Sequence, residues 1–341
     1  MTARLLRVDP WNPDPGLIDE AARVIRGGGL VAFPTETVYG LGADGTSATA
    51  VAGIFHAKGR PADNPLILHF AAPEPVAGVA VVTPSASKLM ELFWPGPLTL
   101  VLPSLGVVPR EVSAGLDTVA VRMPSHPVAL ALISRAGVPV AAPSANTSGR
   151  PSPTDAEAVF SDVGASVDLV LDGGATSVGV ESTVLDATGP DLVLLRPGGC
   201  PVEEIEARAG ARVLLSGGDG RRSPGVRYRH YAPRVPLLLN PTREEVALAL
   251  SEAGAGARAR VAWMGLEGPE VSLGDGTVDL ELSVLFDTPE NYARGLFHAL
   301  RTFERLGADI IAARLPDTDR GMGRAVRDRL ERAASRSHEN P

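Results

Sequence analysis

Seven short apolar runs, each bounded by proline, glycine or aspartate, constrain what this chain can fold into. They are LVAF at 30–33, PLILHF at 65–70, LTLVLP at 98–103, TVAVRMP at 118–124, PVAAPS at 139–144, DLVLDGG at 168–174 and STVLDAT at 182–188. Runs of this length read as buried strands. Between them the period changes. Leu17, Ile18, Ala21, Ala22 and Ile25 recur at helical spacing until the glycines at 27–29 end the run, and ATAVAGIFHAK at 48–58 is helical. SASKLMELFW at 85–94 is helical until Pro95 and Pro97 break it. The alternation predicts an α/β fold around a many-stranded sheet of mixed direction. PTETVYGLGAD at 34–44 reads as a loop leaving a strand end, where ligand sites of open α/β sheets gather, so Thr35 and Thr37 are well placed.

A chain of 341 residues, at roughly 100–200 residues per domain, predicts two domains. The character changes near Glu206. GARVLLSGGDGRRSPGVRYRHYAPR at 210–234 is rich in Gly, Arg and Tyr without clear periodicity, and reads as an ordered linker. Beyond it PLLLN, REEVALALSEA, RVAWMG, ENYARGLFHALRTFERL, ADIIAARLP and GRAVRDRLERAAS repeat the strand–helix rhythm. The expected layout is a first domain over 1–206, a linker over 207–234 and a smaller, Rossmann-like α/β domain over 235–341.

With 44% hydrophobic and 21% charged residues the chain can bury a core. Neither a long apolar run nor a basic-plus-apolar leader stands in MTARLLRVDPWNPDPG, so a cytoplasmic location and no membrane association are expected. A net charge of −8 repels polyanions, and stable nucleic-acid binding would need a strong local basic patch. Cys200 is the only cysteine, which removes internal disulfides and thiol-based metal sites, and the six histidines show no metal spacing. No Gly-Lys pair exists, so a P-loop is excluded. GAGARA at 254–259 precedes a strand where a dinucleotide fingerprint must follow one, and the serine elbow of α/β-hydrolases is missing.

Two polar clusters remain. Lys58, one of two lysines among 32 Lys and Arg residues, lies two residues from Arg60 in FHAKGRPADNPLILHF, near Asn64. APSANTSGRPSPT at 142–154 brings Ser144, Asn146, Ser152 and Arg150 together beside three prolines. They read as a pocket for a phosphorylated ligand, although Lys58 and Arg60 alone could be a solvated helix end and Ser144 with Asn146 turn chemistry. Arg122 stands at a strand end where a guanidinium could take a carboxylate in two parallel hydrogen bonds. Ser182 and Arg196 are similarly placed in GVESTVLD and LLRPGG.

FPTETVYGLGAD, KGRPADNPL, WPGPLTLV, AVRMPSHP, APSANTSGRPSPT, GVESTV, LRPG and SPGVRYRHYAP follow one another in an order that closely resembles the long, two-domain form of the YrdC-like family. The likeness covers residues 1–235 by motif and the remainder by layout. It implies a twisted mixed sheet with flanking helices, and synthesis of threonylcarbamoyl-adenylate from L-threonine, bicarbonate or CO2, and ATP, with Mg²⁺ carried mainly by phosphates and water. The product would pass to a separate tRNA threonylcarbamoyltransferase complex. By resemblance Lys58, Arg60, Ser144 and Asn146 line a positively charged catalytic cavity, while Asn64, Thr118, Ser152 and Arg196 add contacts to ATP. Tyr231, in a linker crossing the cavity mouth, would cap the nucleotide, or else simply pack. Thr35, His69, Arg122, Ala142 and Ser182 would hold threonine. Two other readings are an RNA-binding module using the basic loop and a carbamoyltransferase acting on carbamoyl phosphate. Relatives of the latter kind usually carry zinc-finger-like or acylphosphatase modules, and the single cysteine rules out the former.

Overall fold

The computed structural model describes residues 3–223, 230–255, 259–269 and 278–335, and they form two compact units. The first comprises Met1–Ser148 with Ser152–Arg227, the second Gly149–Pro151 with Tyr228–Pro341. Two boundaries therefore differ from the sequence expectation. Most of the expected linker groups with the first unit, and three residues of the 142–154 motif group with the second.

The first unit is built on strands β1 (Arg4–Arg7), β2 (Val31–Phe33), β3 (Gly40–Asp44), β4 (Ile67–His69), β5 (Leu98–Pro103), β6 (Thr118–Arg122), β7 (Val140–Ala141), β8 (Leu169–Asp172), β9 (Thr183–Asp186), β10 (Leu192–Arg196) and β11 (Val213–Leu214). They make one mixed sheet in the order β1-β8-β2-β3-β7-β4-β6-β5-β9-β10-β11. Its helices are α1 (Pro15–Arg26), α2 (Ala48–Lys58), α3 (Pro84–Phe93), α4 (Arg110–Ser113), α5 (Pro127–Ala136), α6 (Ala156–Val163) and α7 (Val202–Ala209).

The period-two alternation along each strand sorts side chains onto two faces. Ala32, Leu41, Ala43, Leu68, Leu100, Val121, Ala141 and Leu185 point into one large core, shared with buried residues of α2, α3, α6 and α7. On the opposite face Val31, Phe33, Val140, Ala142, Leu169 and Leu171 meet α1 and α5. Asp14 caps α1 by accepting from the Gly16 and Leu17 N–H groups, and the helix buries Ile18, Ala21, Ala22 and Ile25. Each such isoleucine contributes on the order of 1.5–3 kcal/mol. Under β4, β6, β5, β9 and β10 that second face carries only a small apolar cluster of Ile67, Ala120, Val101, Val184 and Leu195. The candidate site lies on this face.

One expected loop is partly a strand. GLGAD forms β3, antiparallel to both β2 and β7, where glycine hid the alternation. A Cβ on Gly42 would stand 2.7 Å from the Phe33 ring and 2.8 Å from Val140, so the strand is read through its neighbours instead of its own side chains. Strand β11 likewise falls inside the expected linker and pairs parallel with β10. Residues 224–229 of SPGVRYRHYAP lie outside the described residues.

The second unit has a parallel sheet ordered β12-β15-β13-β14, from β12 (Leu237–Leu239), β13 (Ala259–Gly265), β14 (Val278–Leu285) and β15 (Ile310–Ala313), with helices α8 (Arg243–Glu252), α9 (Pro289–Arg305) and α10 (Gly321–Ala334). A capping box between Thr242 and Glu245 starts α8. Trp263 and Met264 are buried in β13, and Tyr292, Leu296, Phe297, Leu300 and Phe303 form the buried stripe of α9. This bears out the smaller α/β domain read from the sequence, with β14 as the strand that reading lacked.

Gly42→Val should lower unfolding stability by about 1–3 kcal/mol through overpacking against Phe33 and Val140. Urea unfolding checks it, and an unshifted midpoint would show that the two neighbours give way freely.

Candidate functional site

Strand register builds the site's floor. His69 pairs with Arg122, Arg122 with Thr99, Thr99 with Val184, and Val184 with Arg196. Directly paired residues share a face, so His69, Arg122, Thr99 and Arg196 form one polar row across β4, β6, β5, β9 and β10. At about 4.8 Å per strand the row spans roughly 19 Å before twist. A register shift between Leu194 and Arg196 lets both Leu195 and Arg196 face this side. Ser182, just before β9, joins the row through a 2.8 Å hydrogen bond between its hydroxyl and that of Thr99. Arg196 donates from Nε and Nη2 to the Ser182 carbonyl and from Nη2 to its hydroxyl. Thr118 lies on the same face at the far end of β6, opposite Pro103.

Arg122 is buried, and its charge is met by Glu36, whose Oε1 accepts from Nη2 at 2.5 Å; Nε donates to the Gly96 carbonyl. A buried guanidinium without such a partner would cost several kcal/mol. The pair pins the 34–39 loop, which in turn holds its neighbours. Ser125 N–H donates to Glu36 Oε2, Val178 N–H to the Glu36 carbonyl and Gly179 N–H to that of Thr37. Tyr39 N–H donates to the Pro153 carbonyl, and the Tyr39 carbonyl accepts from Ala145 N–H. Thr35 uses its hydroxyl within this loop, toward Thr37 Oγ1 and the Val38 carbonyl.

His69 is buried beside Arg122, and its Nδ1 lies 3.1 Å from the Ile67 carbonyl. Burial, helped by the Arg122 charge and opposed by hydrogen bonds to backbone, pushes its pKa down from 6.5 to about 3, so the ring is neutral at pH 7. Burial also pushes His126 down, against a weaker pull from Glu36.

The cationic loop meets the 142–148 segment directly. Lys58 ends α2, where a cation complements the helix dipole, and Gly59 follows at φ 59°, a conformation glycine adopts without strain. Lys58 Nζ donates to the carbonyls of Ser144 and Asn146, and its own carbonyl accepts from Ser148 N–H. The Ser144 hydroxyl donates to Asn146 Oδ1. Arg60 wraps the following turn, donating to the carbonyls of Asn64 and Pro65. Asn64 Nδ2 is buried without a protein partner, an unsatisfied donor at the heart of the loop. Ser152 donates to Glu181, whose carbonyl accepts from Gly199 N–H, so this segment reaches Ser182 and the polar row.

The structure thus brings Lys58, Ser144 and Asn146 together, Arg60 and Asn64 together, and His69, Arg122, Ser182 and Arg196 along one row. It does not place every expected residue among them. Ala142 sits in the apolar cluster under α1 and α5 with its N–H on the Ile67 carbonyl, so its side chain offers only a methyl. Arg150 belongs to the second unit, where it forms a fork on Glu304. Tyr231, at φ 66°, also groups with the second unit, its ring 5.3 Å from Phe297 and 5.1 Å from the Arg329 guanidinium. Sequence reasoning passed over Glu36, Glu181 and Thr99. The signal for the first two was present, a lone carboxylate inside PTETVYG and another inside GVESTV.

Between pH 6.5 and about 3 the unfolded chain binds a proton at residue 69 that the folded chain does not, so stability falls as pH drops through this window. At pH 5 that share is about 2 kcal/mol. His69→Asn should flatten the stability profile by that amount between pH 7.5 and 5. Parallel profiles in urea titrations would mean that His69 is protonated when folded.

Comparison with known proteins identifies the family. Residues 23–198 match the Sua5/YciO/YrdC family profile, described as telomere recombination, and residues 200–335 match the threonylcarbamoyl-AMP synthase C-terminal domain. A threonylcarbamoyl-AMP synthase of Pyrococcus abyssi is 47% identical over 337 residues, covering 96% of this chain and 95% of its own. One of Bacillus subtilis is 45% identical over 327 residues, covering 93% of this chain and 92% of its own. The crystal structure of P. abyssi Sua5 complexed with L-threonine has a TM-score of 0.85 at 44% identity, covering 97% of this chain and 98% of that one. With nearly full-length agreement in sequence and fold, this chain belongs to the threonylcarbamoyl-AMP synthase family in its two-domain form.

Proposed function

We infer that the chain condenses L-threonine, bicarbonate or CO2, and ATP into threonylcarbamoyl-AMP, releasing pyrophosphate. The observation that carries this reading is the pairing of a loop whose cations rest on carbonyls, at Lys58 and Arg60, with a polar row whose arginine at 122 is partly balanced by Glu36. The first arrangement suits a polyanion. The second suits a small zwitterion, since a guanidinium already paired once can still offer an edge to a carboxylate.

In this mechanism the threonine amine takes up CO2, and a carbamate oxygen attacks the α-phosphorus while the bond to the pyrophosphate oxygen breaks. No protein nucleophile is required, and the protein's work is positioning and charge stabilisation. Lys58 and Arg60 would offset charge on the leaving pyrophosphate, and Asn64 Nδ2 would gain the acceptor it lacks. Arg122 would hold the threonine carboxylate, and neutral His69 could donate or accept a hydrogen bond beside it without adding charge. Ser144, Ser152, Thr118 and Arg196 would contact the nucleotide. Mg²⁺ would be carried mainly by ATP phosphates and water, as hard, strongly hydrated cations prefer.

Such an anhydride hydrolyses readily, which calls for delivery to a tRNA-modifying partner, in a reading that places the enzyme in the cytoplasm. No helix among the described residues is long and apolar enough to cross a membrane. The RNA-binding reading of the basic loop is not favoured, since both near-full-length relatives described above are named for the synthase.

Pyrophosphate release should require threonine, bicarbonate and Mg-ATP together. Lys58→Ala should slow it by about 10²-fold or more, as expected for losing a charge-stabilising group. Threonine-independent release, or a Lys58→Ala rate near wild type, would overturn the assignment.

A further inference from the structure

Thr99 lies in the polar row without a part in the proposed reaction. It is fully buried on β5, paired with Arg122 on one side and Val184 on the other. Its hydroxyl meets that of Ser182 at 2.8 Å, and among the described residues this is the one hydrogen bond the Thr99 hydroxyl makes.

The direction of that bond follows from the donors around it. A serine or threonine hydroxyl has one proton to give and two lone pairs to fill. Arg196 Nη2 reaches the Ser182 hydroxyl at 3.2 Å, and a guanidinium can only donate, so one Ser182 lone pair is taken. If Ser182 gave its proton to Thr99, the Thr99 proton would itself be buried without an acceptor, which is costly in a protein interior. Thr99 therefore donates, and both lone pairs of Ser182 are filled. The Ser182 proton then has no acceptor among the described residues, although the residue is only 1% exposed. A buried hydroxyl in that state can only give, and an oxygen brought by a ligand satisfies it.

The position of Ser182 is held as firmly as its direction. Arg196 Nε and Nη2 both donate to the Ser182 carbonyl, at 3.2 and 3.0 Å. The turn after β10 presses on the same peptide. A Cβ on Gly198 would stand 2.3 Å from the Glu181 carbonyl oxygen and 2.4 Å from the Ser182 carbonyl carbon, so only glycine allows this approach.

Such a donor discriminates among the polar ends of an amino acid. An ammonium has no lone pair to offer it and is repelled by the neighbouring Arg196 guanidinium, whereas an anionic oxygen accepts from both. We propose that Thr99 is a positioning residue that makes Ser182 an obligate hydrogen-bond donor to an anionic oxygen of the amino-acid substrate, its carboxylate or the carbamate formed on its amine. The proposal rests on the assignment of the polar row to threonine. Thr99 touches no substrate atom and acts only through Ser182.

The test uses the full chain. Thr99→Val keeps the branched shape and removes the proton, Thr99→Ala removes both, and Thr99→Ser keeps the hydroxyl. Threonine-dependent pyrophosphate release should lose about ten-fold in kcat/KM for threonine in the Val and Ala variants, as for one directed hydrogen bond to a charged group, while Thr99→Ser stays within about two-fold of wild type. In a Ser182→Ala background Thr99→Val should cause no further loss, because the residue through which it acts is gone. Calorimetric titration of L-threonine without bicarbonate or ATP separates the two oxygens. Weaker binding by Thr99→Val assigns the bond to the carboxylate, and unchanged binding with the full loss in turnover assigns it to the carbamate. Thermal unfolding identifies a variant that fails to fold, and should Thr99→Val do so, Thr99→Ala carries the comparison. Wild-type kinetics in the folded Val or Ala variant, a Ser variant as impaired as they are, or equal losses with and without Ser182 would overturn the proposal. A wild-type protein that neither binds threonine nor releases pyrophosphate removes the substrate assignment and the proposal together, whereas a wild type that does both and is matched by Thr99→Val removes the proposal alone.

Discussion

A charge taken out of water has to be answered, and at the centre of the first unit the answer is Glu36 against Arg122. Arg122 is fixed by strand register in the middle of the polar row, so its partner has to come to it. Glu36 does so from a six-residue loop between β2 and β3, and in reaching Arg122 it draws that loop across the sheet. Once there, the loop's backbone is no longer solvated and its N–H and C=O groups need partners. They find them on Val178, Gly179, Ala145 and Pro153. One ion pair thus determines where three other loops must run.

The open face of the sheet follows from topology. Helices α1 and α5 cover the β1-β8-β2-β3-β7 half of that face, and the strands beyond β7 keep alternating between core and surface after the cover ends. Positions that would otherwise be apolar carry His69, Arg122, Thr99 and Arg196, and the residues beneath them shrink to a cluster of five. Where the sheet is covered on both sides the strands read as continuous apolar runs, and where it is open they read LIL-H, VAV-R and LL-R. The polar residue at the end of an apolar run marks the uncovered face.

That pattern explains what could be read beforehand. The strands with branched side chains were legible, as were Arg122, Ser182 and Arg196 at their ends, because composition and position carried the signal together. Strand β3 was not, since Gly40 and Gly42 have no side chains to alternate and owe their place to the Phe33 ring packed over them. Glu36 and Glu181 were passed over because their partners, Arg122 and Ser152, are 86 and 29 residues away and no local pattern announces a long-range pair. Arg150 was misplaced for the opposite reason. Its neighbours in sequence were read with it as one polar cluster, but its carboxylate partner is 154 residues distant.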